Sequence, residues 1–288
     1  MAVGEEWRRS EVEAAVDAYF AMLVAELEGV PFVKLHRNRN LQSQLDGRSI
    51  GSIEFKHGNI SAVLLENGIP ALTGYKPYSN VQGLLRTVVQ ERLDNADQLR
   101  TALATHLALP VERGRVQSIL DILTPPPERD ESAGYPGVAR DLVVGPRHGV
   151  NWLEREAQNR ATGLEGEKLV LEFEEARLRA LGRRALANRI EHVSLSRGDG
   201  CGFDILSFEG SGKERYIEVK STRFSKHSPF FVSKNELTVS ADLHDAFHLY
   251  RVFSLTKRPG LFQLPGSLYD SCILEPESFR ATARGSAA

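Results

Sequence analysis

Cysteine is scarce: Cys201 and Cys272 are the only 2 in 288 residues, and they form no Cys-x-x-Cys pair. That excludes a disulfide-stapled scaffold and leaves no thiolate pattern for a structural zinc. The histidines at His192, His227, His244 and His248 also lack the spacing of a metal motif. No apolar run approaches the length of a bilayer span, and no basic-then-apolar leader opens the chain. The expected setting is therefore the reducing cytoplasm, with no membrane partner. Neither sign of charge dominates, with 36 Lys and Arg against 38 Asp and Glu and a net charge of −2. A uniformly basic coat for nucleic acid is excluded, but a local basic face is not. What is present, 41% hydrophobic and 26% charged residues, describes a globular chain long enough for two cores.

The first 120 residues read as helices. Ser10-Glu-Val-Glu13 has the form of a capping box, and Val12, Ala15, Val16, Tyr19, Phe20, Leu23, Val24 and Leu27 follow at helical spacing until Gly29. A basic stretch from Lys34 to Arg39 precedes a short helix to about Leu45. Its cations are either phosphate contacts or a solvated face. Between Arg48 and Leu64, Ile53, Ile60, Val63 and Leu64 suit a core, with Gly58 tolerated at a cost of about 1 kcal/mol relative to alanine. A turn at Gly74–Gln82 leads into a helix to about Leu93, and another helix runs from Gln98 to Leu107. Pro125–Gly137 reads as a stiff, charged linker. The expected division is a helical domain at 1–120, a linker at 121–149 and a second domain at 150–288.

In the second half, Leu169, Val170, Phe173, Ala176 and Leu178 repeat along a long helix opened by Gly163-Leu-Glu-Gly-Glu167. Phe203–Phe208 and Arg215–Lys220 then form strands around a Gly210-Ser-Gly212 turn. Alternation puts Tyr216, Glu218 and Lys220 on one face of the second strand, and Ile217 and Val219 on the other, toward a core. A carboxylate and an ammonium thus stand side by side, with Asp204 offered by the partner strand. Two carboxylates from adjacent strands suit a hard divalent cation such as magnesium or manganese, with water and phosphate oxygens completing the shell. Such an ion lowers the pKa of bound water and neutralises phosphoryl charge, while Lys220 orients or deprotonates the water. The plainer reading of Glu-x-Lys is an exposed ion pair on a strand edge.

Further along, Arg177, Arg179, Arg183, Arg184 and Arg189 concentrate positive charge. They are either phosphate contacts or a solvated helix end favoured by the dipole. Phe230–Val232, His248–Ser254 and Leu261–Leu264 read as more strands, and Ser233-Lys-Asn-Glu236 as another capping box. Asn235 and Glu236 can approach the site, although capping alone accounts for Glu236. Asp199, between glycines, reads as a turn residue.

Asp204 with Glu218-Val-Lys220 on a hairpin resembles the PD-(D/E)xK nuclease superfamily, with Phe203 where proline often stands. The wider series resembles the NO VEIN-type C-terminal domain over roughly residues 150–280. It comprises Asn159-Arg, Gly166-Glu-Lys168, Glu191-His-Val-Ser194, Gly198-Asp-Gly-Cys-Gly-Phe-Asp-Ile-Leu-Ser-Phe208, Ile217-Glu-Val-Lys-Ser-Thr222, Pro229-Phe-Phe-Val-Ser233, Asn235-Glu-Leu237 and His248-Leu-Tyr-Arg-Val-Phe253. The resemblance implies an α/β restriction-endonuclease-like domain with a mixed central sheet, and Glu167 as an extra metal ligand beside Asp204 and Glu218. Gly51-Ser-Ile-Glu-Phe-Lys56, Asn59-Ile-Ser-Ala-Val-Leu64 and Gly74-Tyr-Lys-Pro77 resemble the helical domain of Mcr-type, modification-dependent restriction proteins, over about residues 8–93. That implies DNA contacts at Lys56, His57, Asn59, Tyr75, Lys76 and Asn80, as against mere packing and capping, with Arg177, Arg183 and Arg184 joining them from the second domain.

Together these expectations describe an α+β, two-domain, metal-dependent DNA endonuclease acting in restriction or defence. Its partner is double-stranded DNA, unmodified or base-modified, and two copies, as a homodimer, would cut both strands. The alternatives are a module that binds DNA or scaffolds a partner without cutting, and an RNA nuclease.

Overall fold

Helix α1 (Arg9–Leu27) buries Val12, Ala15, Val16, Tyr19 and Leu23, which follow the helical spacing of its sequence. The computed structural model describes residues 6–128 and 150–276; most of the expected linker, from residue 129 on, lies outside them. The cap of α1 is Arg8 rather than Ser10, because the Arg8 backbone N–H donates to Glu11 at 2.8 Å. Arg48 fixes that carboxylate from the other side, donating from Nε at 2.9 Å and Nη2 at 2.8 Å. The Arg48 hydrogen bonds outweigh burial and pull Glu11 down to about 2.

Around α1 pack α2 (Lys34–Gln42), α3 (Ile50–Glu66), α4 (Gly83–Asp94) and α5 (Asp97–Ala108). The basic stretch is itself the body of α2, not a lead-in to a later helix. Gly58, in the middle of α3, has a specific reason. A Cβ there would stand 2.4 Å from the Tyr78 ring and 2.6 Å from the Lys76 carbonyl. The lost helix propensity lets the loop before α4 lie directly on α3, where the Tyr78 N–H donates to the Gly58 carbonyl at 3.1 Å.

The second half runs α6 (Trp152–Ala157), α7 (Arg160–Ala180), α8 (Arg184–Ala187), β1 (Glu191–His192), α9 (Val193–Ser196), β2 (Ile205–Phe208), β3 (Glu214–Ser221), α10 (Lys234–Leu243), β4 (Phe247–Phe253), β5 (Gly260–Pro265) and α11 (Leu268–Ser271). Its sheet has the order β1-β2-β3-β4-β5 and is mixed, since β3 and β4 are parallel and the other pairs antiparallel. The layout is α+β. Residues 230–232 form no strand; Phe230 and Val232 instead pack with Phe247, Leu249 and Leu268. The Asn159 side chain caps α7 by accepting from the N–H groups of Ala161 and Thr162, so the helix opens before Gly163.

Both faces of the sheet are covered. On one, Leu169, Val170 and Phe173 of α7 meet Ile205, Ile217, Val219, Tyr250 and Val252. On the other, Leu237, Val239 and Leu243 of α10 meet Phe247, Leu249 and Leu268. The face that alternation leaves for Glu218 and Lys220 is therefore roofed, not open.

The cores do not divide at the expected domain boundary. Val111, Val116, Ile119 and Ile122 join the core of the sheet, and the Gly114 and Thr124 N–H groups donate to the Leu255 and Leu261 carbonyls at 2.9 and 2.8 Å. In the opposite direction, Trp152, Leu153 and Phe224 join the helical core. Apolar side chains from each half are buried in the other, so segment 111–124 belongs with the sheet and Trp152 with the helices. Among the described residues, no helix is long and apolar enough to cross a membrane.

A buried carboxylate on α7, paired within the helix, fastens α7 to the sheet. Glu174, fully buried, accepts from Arg177 Nε at 2.8 Å and Nη2 at 2.6 Å, from Ser207 Oγ at 2.6 Å and from Tyr250 Oη at 2.7 Å. Burial opposes ionisation of this carboxyl, but Arg177 and the two hydroxyls outweigh it and hold Glu174 below the usual carboxylate range. Glu174→Ala leaves Arg177 without its buried partner and should cost about 3–5 kcal/mol in urea unfolding. Loss of under 1 kcal/mol would show that the pair does not hold α7 in place.

Candidate metal and catalytic site

The hairpin register creates the site. Ile205 pairs with Ile217, and the Asp204 N–H donates to the Ile217 carbonyl at 2.8 Å, so Asp204 enters β2 opposite Glu218. Its carboxylate Oδ2 accepts from the Val219 N–H at 2.8 Å, which turns the side chain across β3. Lys220 Nζ lies 2.7 Å from Glu218 Oε1 and 2.8 Å from Glu236 Oε2. Glu236 comes from the first turn of α10, where it also accepts from the Ser233 N–H at 3.1 Å to complete the capping box with Ser233 Oγ. One carboxylate thus caps a helix and holds the lysine.

Helix α7 supplies the remaining acid. Its close approach to β3 depends on Gly166, where a Cβ would come within 1.6 Å of Ser221 Oγ. The next residue, Glu167, accepts from Ser194 Oγ at 2.6 Å and lies 2.6 Å from His192 Nε2. The Glu167 carboxylate is thereby tied to β1 and α9, near enough to Asp204 to repel its charge. The roof over Lys220 is held by Arg251, its register partner on β4, which donates to the Ser228 and Pro229 carbonyls at 3.3 Å each.

The electrostatics follow from burial and from an excess of acid. Glu218 is only 4% exposed. Burial, with Asp204 and Glu236 alongside, pushes it well above its ordinary value despite Lys220. Burial also raises Asp204 to about 7, with Glu167 adding to the effect. Burial opposes the charge of Lys220, but Glu218 and Glu236 overcome it and hold the ammonium above its usual range. One ammonium faces three carboxyl groups, with Glu167 a further acid beside Asp204.

That imbalance bears on the expected cation. Among the described residues, no group of three or more His, Cys, Asp and Glu side chains is arranged to ligate a metal. The donors that fit are fewer: Asp204 and Glu218, two adjacent oxygen ligands in want of positive charge. Magnesium is typically held by one or two carboxylates plus water and substrate oxygens. The residues fit such an ion.

The other expected contacts are distributed differently. Lys56, His57, Asn59 and Tyr75 are buried, so they are not the exposed DNA contacts expected of them. Lys56 lies over the Trp7 ring and donates to Gln82 at 3.3 Å. Asn59 holds the Tyr78 and Asn80 carbonyls at 3.0 and 3.1 Å, and Tyr75 Oη donates to Asn38 at 3.1 Å. His57 is wedged edge-on to Tyr19 and Tyr75, and burial lowers it to about 4. These side chains build the helical core and its loop, and a partner cannot reach them there. Lys76 reaches the surface and pairs with Glu128 at 3.0 Å; Asn80 is exposed. Arg177 is likewise consumed, by Glu174 and the Phe208 carbonyl at 2.6 Å. Arg183 and Arg184 are exposed, but α8 packs on Phe208, at the far end of β2 from Asp204 and roughly 13 Å away by strand rise.

Residues 166–264 match the family model for Protein NO VEIN, C-terminal. No curated protein and no solved structure matches the chain. The NO VEIN C-terminal match begins at Gly166 on α7 and ends at Leu264 on β5, so it contains Glu167, His192, Asp204, Glu218, Lys220 and Glu236. It stops short of the helical half.

His192 and Ser194 were not legible as site residues. They meet Glu167 across 25 and 27 positions of chain, and no local pattern encodes that contact. Glu236 was visible, but its capping role masked the second one.

A raised pKa in the folded state makes the charged form of Asp204 a cost. The cost is absent below its ordinary value near 3.8 and grows as pH rises toward about 7. In chelator, Asp204→Asn should gain stability relative to the parent across that window, by at most roughly 4 kcal/mol at pH 8. Urea unfolding at several pH values checks this, and a difference independent of pH would contradict the burial of Asp204.

Proposed function

We propose that the chain is a metal-dependent nuclease that hydrolyses phosphodiesters of DNA. The observation that carries this reading is the pair Asp204 and Glu218, adjacent across a hairpin, the first half-buried and the second buried, short of positive charge, and flanked by Lys220. A binding module that never cuts has no use for clustered carboxylates, since they repel a polyanion. The resemblance of Asp204 with Glu218-Val-Lys220 to the PD-(D/E)xK superfamily supports the same reading and implies a restriction-endonuclease-like domain.

In this mechanism Asp204 and Glu218 would hold a magnesium or manganese ion, with Glu167 and Glu236 as further acids alongside. The ion, when bound, supplies Lewis acidity toward the phosphoryl oxygen and lowers the pKa of the attacking water. Asp204 is oriented by the Val219 N–H, so little rearrangement of that carboxylate is required. Lys220 moves from Glu218 toward the attacking water or the phosphate, and Glu236 keeps its Nζ on that face of the sheet. His192 and Ser194 fix Glu167 and so set the spacing of the acids.

A site of this kind touches phosphates, which carry no sequence information, so selectivity belongs elsewhere. The Mcr-type resemblance of the helical half supports a role for it in choosing DNA, including base-modified duplexes, and a defence setting in the cytoplasm. A homodimer would bring the two sites that a double-strand cut requires.

Purified full-length protein should nick plasmid DNA in magnesium or manganese and leave it intact in chelator. Asp204→Ala, Glu218→Ala and Lys220→Ala should each lower the rate at least about 100-fold. Duplex binding should persist, because phosphate contacts elsewhere supply most affinity. Cutting by Glu218→Ala at the parental rate would refute the assignment. Plasmids with and without base modifications, and an RNA duplex, define the substrate in the same assay.

A further inference from the structure

The helical half has one element whose packing does not explain it. Of the nine residues of α2, only Asn38 and Leu41 are buried. The helix is anchored there by Leu41 in the core and by the Tyr75 hydroxyl donating to Asn38 at 3.1 Å. His36, Arg37, Arg39 and Asn40 are all exposed. No acidic residue occurs between Glu28 and Asp46, while Lys34, His36, Arg37 and Arg39 all fall in that interval.

The pairing of arginines elsewhere sharpens the contrast. Across the helical half, Arg9, Arg48, Arg86, Arg92 and Arg100 each sit on a carboxylate. Arg37 and Arg39 make no ion pair among the described residues. Arg37 and Asn40 instead line a groove of about 470 Å³ between α1 and α2, whose far wall carries Glu13 and Asp17. Those two acids are already matched by Arg9 at 2.9 Å and Arg92 at 2.7 Å. On the α2 side of the groove the charged lining residue is Arg37.

We propose that α2 binds the sugar–phosphate backbone of duplex DNA, with Arg37 and Arg39 as the phosphate contacts and Asn40 as a neutral donor beside them. Guanidinium groups with no carboxylate to release pay no competing ion pair when they take a phosphate. Arg37 with Asn40, and His36 with Arg39, are i,i+3 neighbours, so the donors lie along the two sides of the exposed arc opposite the buried Asn38 and Leu41, within about one helical turn. The proposal rests on the nuclease reading for its choice of polyanion, and it replaces the buried Lys56, His57, Asn59 and Tyr75 as the contact surface of the helical half.

The test is the salt dependence of binding by the full chain to a labelled duplex in chelator, where no cutting occurs. Each phosphate contact contributes about 0.9 to the slope of log affinity against log salt. The double variant Arg37→Gln/Arg39→Gln should lower that slope by roughly 2 and weaken binding at low salt by at least about tenfold. Arg37→Lys/Arg39→Lys should keep the slope, because the charge remains. Arg86→Gln, which removes a cation paired with Glu66, should leave it unchanged. Equal slopes for parent and double Gln variant overturn the proposal, as does a parent that fails to bind duplex or binds only anionic vesicles. A parallel incubation of the parent in magnesium separates the two ideas. Slope loss without cutting retains α2 and removes the nuclease reading; cutting with an unchanged slope does the reverse.

Discussion

A single ammonium group, Lys220, has to answer for the charge of Glu218, Glu236 and Asp204 on one roofed face of the sheet. It reaches two of these at hydrogen-bond distance, and the third is turned away onto a backbone N–H. Burial and the neighbouring carboxylates hold Glu218 and Asp204 toward their neutral forms. The arrangement costs stability through a local charge imbalance, a pattern that clusters at functional sites. The surrounding structure is built to hold those acids where they are: Gly166 brings α7 against β3, the capping box fixes Glu236, and Arg251 pins the covering segment.

That segment also joins the site to the helical half. Arg223 Nη1 donates to the His106 and Leu109 carbonyls at the C-terminal end of α5, at 2.9 and 3.2 Å, a placement favoured by the helix dipole. Phe224 stacks on His106 and is buried in the helical core. A few residues on, Phe231 packs against the helical core, whereas Phe230 and Val232 pack against the sheet. Ser233 then caps α10 and sets Glu236. The backbone between Arg223 and Glu236 is therefore stitched alternately to both cores. The exchange of segments 111–124 and 152–153 between the cores adds to this, so the halves share their cores although their sequence patterns are separate.

Local pattern carried the helices of the first half, the hairpin, and the pairing of Asp204 with Glu218 and Lys220. Each of these depends on interactions within a few residues or across one tight turn: apolar spacing of 3.6, strand alternation of 2, and a glycine turn that sets register. Gly58 shows the limit of such reading. Its propensity cost was visible, but the ring of Tyr78 that requires it was not, because that contact belongs to a different stretch of chain.

Tertiary structure decided which polar side chains are available. Lys56, His57, Asn59 and Tyr75 carry the chemistry of a binding surface in sequence, yet packing of α3 against the following loop turns them inward. Arg177 reads as part of a basic cluster, yet Glu174 lies one turn away on the same helix and claims it. Arg37 and Arg39 read as an ordinary basic stretch, yet α2 leaves them with no partner among the described residues. Sequence determined which residues could carry charge and which faces had to be buried. Only the fold determined where each charge finds its counter-charge, because that balance is set by side chains brought together from distant segments.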